Sequence, residues 1–232
     1  LPYLLLVLTL VGVGLIMLFS ASFPSAYYEE GNPAYYLIRQ GIFAILGITA
    51  MFIVGKINYE RYRAVAKMLL IFSIILLVLV LIPGIGTGRL THGAQRWIRL
   101  GPIQFQPSEI AKVGIILYFA DSISKKKDKM ASLRYGIVPY IAILGVIAIL
   151  MWKEPHLSGM VLLLGIGAVM MYVGGIRNYW VGLGFALVLL VVYAFATGLI
   201  TYNSSRIDIW LDPFNEEWMR DKGYQIRQSL LS

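Results

Sequence analysis

The chain has 232 residues, 59% of them hydrophobic and only 14% charged, with no cysteine and a formal charge of +8. A soluble domain of this size carries about 25% charged residues, so the composition is that of an integral membrane protein. Disulfides, thiolate nucleophiles and thiolate metal sites are excluded. The positive charge is explained by basic loops that set membrane orientation, and nucleic acid is not an expected partner.

Seven apolar stretches follow one another, each near the ~20 residues that span a hydrocarbon core. They run Leu4–Ser20, Tyr36–Val54, Ala66–Ile82, Ser108–Ile123, Tyr135–Trp152, Leu157–Val173 and Tyr179–Thr201. All are apolar on every side rather than alternating, which predicts helices and not barrel strands. The expected fold is therefore an all-α, polytopic helical bundle with seven transmembrane helices. Glycines inside the spans, such as Gly12, Gly14, Gly165 and Gly167, suit close helix packing in lipid.

Basic residues divide the loops into two sets. Lys56, Arg61, Arg63 and Lys67 lie in one loop, Lys125, Lys126, Lys127, Lys129 and Arg134 in another, and Arg177 in a third. Loops of the other set hold fewer, namely Arg89, Arg96, Arg99 and Lys153. The positive-inside rule puts the first set, and the N-terminus, in the cytoplasm. The lysine run reads first as an orientation signal and second as a site for anionic lipid. Residues 1–201 form the membrane bundle, and residues 202–232 an extracytoplasmic amphipathic segment with Trp210, Phe214 and Trp218 as interfacial anchors. That segment stops in mid-pattern and is expected to be the truncated start of a larger outer loop.

The loop and helix start from Gly93 to Lys112, G-A-Q-R-W-I-R-L-G-P-I-Q-F-Q-P-S-E-I-A-K, carry most of the chemistry. Arg96, Arg99 and Lys112 are a cation cluster suited to a phosphate or diphosphate head group. Pro107 marks the first turn of a helix, with Ser108 as a candidate cap. Glu109 and Lys112 then share one helical face. Lys112 is either the partner of a local ion pair that snorkels to the surface or part of an anion site positioned by Glu109. Arg39, at the outer end of the second span, is either an interfacial anchor or a further cation for the same site. Lys153-Glu154-Pro155-His156 is either an ordinary polar turn or a place for acid/base or metal chemistry. With only His92 and His156 in the chain, a histidine-rich zinc site is not supported.

Four blocks together resemble the SEDS family of bacterial cell-wall proteins, which includes FtsW, RodA and SpoVE. They are G-L-I-M-L-F-S-A-S (Gly14–Ser22), the Gly93–Lys112 block, E-P-H-L-S-G (Glu154–Gly159), and the pair R-I-D-I-W-L-D-P-F (Arg206–Phe214) and G-Y-Q-I-R-Q-S-L-L (Gly223–Leu231). The resemblance implies a peptidoglycan glycosyltransferase of about ten spans in the bacterial cytoplasmic membrane. It would polymerise lipid II at the outer face, in division, elongation or sporulation, beside a class B penicillin-binding protein. Arg96 and Lys112 match basic positions of the family motif, suited to the substrate or leaving diphosphate; Glu109, Glu154 and His156 are supporting candidates. Where the family turn commonly reads Q-P-D-L-G, His156 stands in place of the aspartate and Glu154 in place of the glutamine. The family's proposed catalytic aspartate is expected beyond Ser232, so no catalytic residue is assigned, and the 232-residue piece is expected to be inactive alone. No metal ligand set is visible, although a diphosphate substrate leaves a divalent cation open as cofactor. The alternative functions are a lipid II flippase, which needs polar groups spread through the bilayer, and a non-catalytic membrane scaffold for the penicillin-binding protein.

Overall fold

The computed structural model describes residues 2–82, 86–87, 96–101, 103–154, 156–196, 212, 214 and 229–230. Among them are seven α-helices: α1 (Pro2–Glu30), α2 (Tyr35–Lys56), α3 (Tyr59–Val80), α4 (Pro107–Lys125), α5 (Val138–Lys153), α6 (Leu157–Val173) and α7 (Asn178–Ala196). By length and composition, α1, α2, α3 and the segment Leu133–Lys153 can each cross a membrane. Their outward side chains, such as Leu5, Ile16, Phe43 and Ile149, are more than half exposed, which in water would be prohibitive and in lipid is expected. The tail expected at 202–232 lies outside the described residues apart from Asp212, Phe214, Ser229 and Leu230, as do Arg89, Gly93–Gln95 and Pro155.

The chain divides into two compact units, Leu1–Val65 and Ala66–Ser232. In the first, α1 and α2 form an antiparallel hairpin. Gly31, at φ 67°, breaks α1, and the Asn32 side-chain oxygen accepts from the Ala34 N–H at 2.9 Å. Helix α1 runs ten residues past its expected end, straight through Pro24. At 29 residues it is about 43 Å long, well above the ~30 Å of a hydrocarbon core. Hydroxyls facing the apolar surroundings are satisfied within their own helix, Ser22 on the Leu18 carbonyl at 2.7 Å and Thr49 on the Ile45 carbonyl at 2.8 Å.

The second unit holds the core. Leu70, Leu77, Ala111, Ile115, Phe119, Tyr140, Leu144, Ile147, Met151 and Leu163 pack together between α3, α4, α5 and α6. Small residues set the helix spacing. A Cβ on Gly114 would stand 3.2 Å from both the Leu70 Cα and the Ser73 Oγ, and one on Gly167 would enter the Leu144 side chain. Near the lysine-bearing turn, Tyr140 donates to the Ser122 hydroxyl at 2.9 Å and meets the Phe119 ring edge-on at 4.8 Å.

Between α3 and α4 the sequence reading expected only a loop, and the structure adds a small antiparallel sheet in the order β1 (Gly86–Thr87), β2 (Trp97–Leu100) and β3 (Ile103–Phe105). Ile98 pairs with both Gly86 and Phe105, and Leu100 with Ile103. Gly101, at φ 61°, opens the two-residue connection, a conformation open to glycine at no steric cost. Ile98 is buried and, with Leu76 and Val80, fastens the sheet to the end of α3. Gln106, directly after β3, then stands at the head of α4.

Candidate functional site

Helix α4 begins with Gln106 in an extended conformation as its cap residue and Pro107 at the first helical position, where the missing N–H costs nothing. Ser108, the cap candidate, instead lies inside the helix with its hydroxyl buried and without a partner among the described residues. The Gln106 side chain is committed elsewhere. Its amide nitrogen is 2.8 Å from Nε2 of His156, fifty residues away in the chain. This contact joins the head of α4 to the turn between α5 and α6.

That turn is tightly bound. The Glu154 N–H donates to the Leu150 carbonyl, the His156 N–H to the Met151 carbonyl, and the Met160 N–H to the His156 carbonyl. Arg96, arriving at the start of β2, donates through Nε to the Glu154 carbonyl at 3.4 Å. A guanidinium at the last carbonyls of α5 also meets the negative end of the helix dipole. Gly159 is required beneath the histidine, because any Cβ there would occupy the His156 ring.

Glu154, one of the supporting candidates, is unexpected in its burial. It is wholly buried, and neither carboxyl oxygen has a hydrogen-bond partner among the described residues. Burial pushes its pKa from the usual 4.5 up to about 8, against the opposing pull of the Arg96 charge. The group therefore holds its proton at neutral pH. His156 is lowered from its ordinary 6.5, first by burial and next by Arg96, with Lys112 adding to the effect and Glu109 opposing it. The ring is neutral at pH 7, which Nε2 must be in order to accept from the Gln106 amide.

Lys112 is 2.7 Å from the Glu109 carboxylate, one helical turn back, with side-chain exposures of 25% and 60%. Arg96, Glu109, Lys112, Glu154 and His156 thus act on one another at one end of the second unit. The lysine-bearing turn after α4 is at the other end, as α4 runs between the two. Arg99 does not join them. Alternation along β2 turns it to the exposed face, opposite buried Ile98. Arg39 is an exposed residue of α2, in the first unit. Gln106 and Gly159 were missed by sequence reasoning; Gln106 has no titratable group, and its only signal was its place before Pro107. Among the described residues no group of three or more histidine and carboxylate side chains gathers to hold a metal.

A family model described as a cell cycle protein, FtsW/RodA/SpoVE, matches residues 2–232. The chain belongs to the FtsW/RodA/SpoVE family. Like the family's other members it is a multi-pass membrane protein. A relative named probable peptidoglycan glycosyltransferase FtsW, from Trichlorobacter lovleyi, is 38% identical over 97% of this chain and 58% of its own length. A chain from a peptidoglycan synthase complex that coordinates polymerisation and crosslinking superposes with a TM-score of 0.64, at 29% identity over 93% of this chain and 63% of that one. The rod-shape-determining protein RodA of Thermus thermophilus gives 0.57, at 30% identity over 76% and 58%. The chain spans about 60% of the length of the curated FtsW relatives it matches.

Proposed function

We propose that the intact protein is a peptidoglycan glycosyltransferase that polymerises lipid II at the outer face of the bacterial cytoplasmic membrane, with a class B penicillin-binding protein as its partner. The names of the FtsW relatives and the likeness to a peptidoglycan synthase complex support this reading. The observation that carries it is the cluster itself: Arg96 and Lys112 converge on the Glu154–His156 turn, away from the lysine-rich end. The end with the cluster is then the outer one.

In such a transfer the acceptor sugar hydroxyl forms a bond to C1 of the lipid-linked donor as the C1–O bond to diphosphate breaks. Negative charge grows on the departing diphosphate. Lys112 and Arg96, fixed by Glu109 and by the Glu154 carbonyl, would stabilise that charge without reorganising. Glu154, protonated at neutral pH, is a hydrogen-bond donor there rather than a base. The base for the sugar hydroxyl belongs, by the family resemblance, to the outer loop after the G-Y-Q block. A divalent cation enters this reading only as a counter-ion of the diphosphate.

The test is polymerisation of purified lipid II in detergent by the intact protein with its partner, comparing wild type with Lys112→Ala after verified membrane insertion. Polymer from wild type and at least a hundredfold less from the variant is expected, the scale lost with one charge-stabilising donor. Because detergent abolishes sidedness, a flippase or scaffold gives no polymer in either case. Full activity in Lys112→Ala removes that residue from the site.

A further inference from the structure

We propose that the turn from Lys126 to Arg134, at the other end of the second unit, binds the phosphodiester headgroup of an anionic phospholipid. The turn carries Lys125, Lys126, Lys127, Lys129 and Arg134 against Asp121 and Asp128. Asp121 is taken by Lys125 at 2.6 Å. Among the residues whose side chains are described, no carboxylate pairs with Lys126, Lys127, Lys129 or Arg134.

An orientation signal needs charge alone, and this turn has a built architecture besides. A short 3-10 turn (Lys127–Lys129) leads to a π-helical turn (Leu133–Ile137), and Met130 between them is fully buried in the core. The backbone of Gly136 lies directly on that of Met130, leaving no room for a Cβ. Aromatic rings then hold the cations. Lys126 lies 5.3 Å from the centroid of Tyr140, and Lys129 and Arg134 lie 5.6 and 5.9 Å from that of Tyr135. Arg177 in the turn after α6 faces the same end, since Gly174 packs against Ile123 of α4.

Placement selects a lipid over a free anion. Leu133 and Tyr135 are about half exposed among these cations, and Val138 and Ile141 continue the apolar surface directly below. The boundary between charge and hydrocarbon contact therefore passes through the turn, where a phospholipid headgroup sits above its own chains.

The experiment uses the intact protein in phosphatidylcholine nanodiscs doped with phosphatidylglycerol, and counts co-purifying lipids by native mass spectrometry. Phosphatidylglycerol should be enriched over phosphatidylcholine on wild type. The triple variant Lys126→Gln/Lys127→Gln/Lys129→Gln should lose roughly fivefold in that affinity per charge removed, from ~1 kcal/mol per basic side chain at a membrane surface. The paired change Lys125→Gln/Asp121→Asn, which removes one ion pair and keeps the net charge of this end the same, should leave it unchanged. Arg134→Gln, on an exposed side chain, should lose the single-charge amount and guards against misfolding of the triple variant. Equal enrichment in wild type and both charge variants overturns the proposal. Displacement of phosphatidylglycerol by millimolar inorganic phosphate overturns the lipid assignment in favour of a phosphate site.

Discussion

Replacing Glu154 by Gln tests the central electrostatic claim about the site. The carboxyl is wholly buried, its oxygens have no partner among the described residues, and Arg96 reaches its backbone carbonyl. Desolvation therefore dominates and raises the pKa from 4.5 to about 8, with the Arg96 charge acting the other way. Between those values the folded protein keeps a proton that the unfolded chain releases. Stability from this group is fully present below about pH 4.5 and falls as pH rises towards 8. At about 1.4 kcal/mol per pH unit the loss approaches roughly 5 kcal/mol, and relaxation of the turn brings it nearer ~2–4 kcal/mol. Gln has nearly the same shape and no proton to lose. Equilibrium unfolding of the solubilised intact protein, followed by tryptophan fluorescence from pH 5 to 9, should show wild type losing stability with pH relative to the variant. At roughly 2–4 °C per kcal/mol, the melting temperatures should diverge by about 5–15 °C. His156 contributes with the opposite sign, since its lowered pKa weakens the fold as pH falls below the ordinary 6.5. Subtracting the two profiles cancels that contribution. Parallel profiles within ~0.5 kcal/mol would refute the buried, protonated carboxyl.

Other substitutions read the packing. Gly159→Ala should displace the His156 ring, break its contact with Gln106 and cost about 1–3 kcal/mol, visible as a lower melting temperature and a His156 NMR pKa nearer 6.5. Tyr140→Phe removes the donor to Ser122 and should cost about 1–1.5 kcal/mol in denaturant unfolding; the added Ser122→Ala change should recover part of it. Gly114→Val must push α3 away from α4, and thermal unfolding should report a loss of about 2–4 kcal/mol. Lys125→Ala opens an ion pair whose lysine is 59% exposed, and a change above ~1 kcal/mol in the same assay would contradict the screening argument.

The helices were legible because an apolar run of about 20 residues has few alternatives in a membrane. Leu157–Val173 coincides at both ends, since Gly174 follows it and the polar turn precedes it. Helix α1 does not, because Ala21–Glu30 continue the helix with tyrosines and glutamates outside any hydropathy window. The sheet was illegible for a different reason. Its strands have two to four residues, too short for alternation to stand out from a loop. In the site, Lys112–Glu109 followed from helical spacing alone. The Gln106–His156 contact did not, as nothing local marks a pairing across fifty residues. Nor did the burial of Glu154, because a Lys-Glu-Pro-His turn reads as solvated until Arg96 and the head of α4 are folded over it.

That folding gives the two cations different standing as tests of mechanism. Arg96 bonds the carbonyl at the end of α5 and lowers the pKa values of both Glu154 and His156. Removing it would loosen the turn and shift two titrations along with any substrate contact, so an inactive Arg96 variant cannot separate structure from chemistry. Among the described residues the ion pair of Lys112 is with Glu109, one turn back on its own helix, a pair of a kind that contributes a few tenths of a kcal/mol. Its loss should leave the fold intact, and a large loss of activity would then report charge at the diphosphate. Glu109→Gln sharpens the comparison, because it keeps the lysine and removes its counter-charge. If Lys112 acts through its charge, Glu109→Gln, which loosens the lysine but keeps its charge, should cost far less activity than Lys112→Ala, with both proteins melting within about 2 °C of wild type.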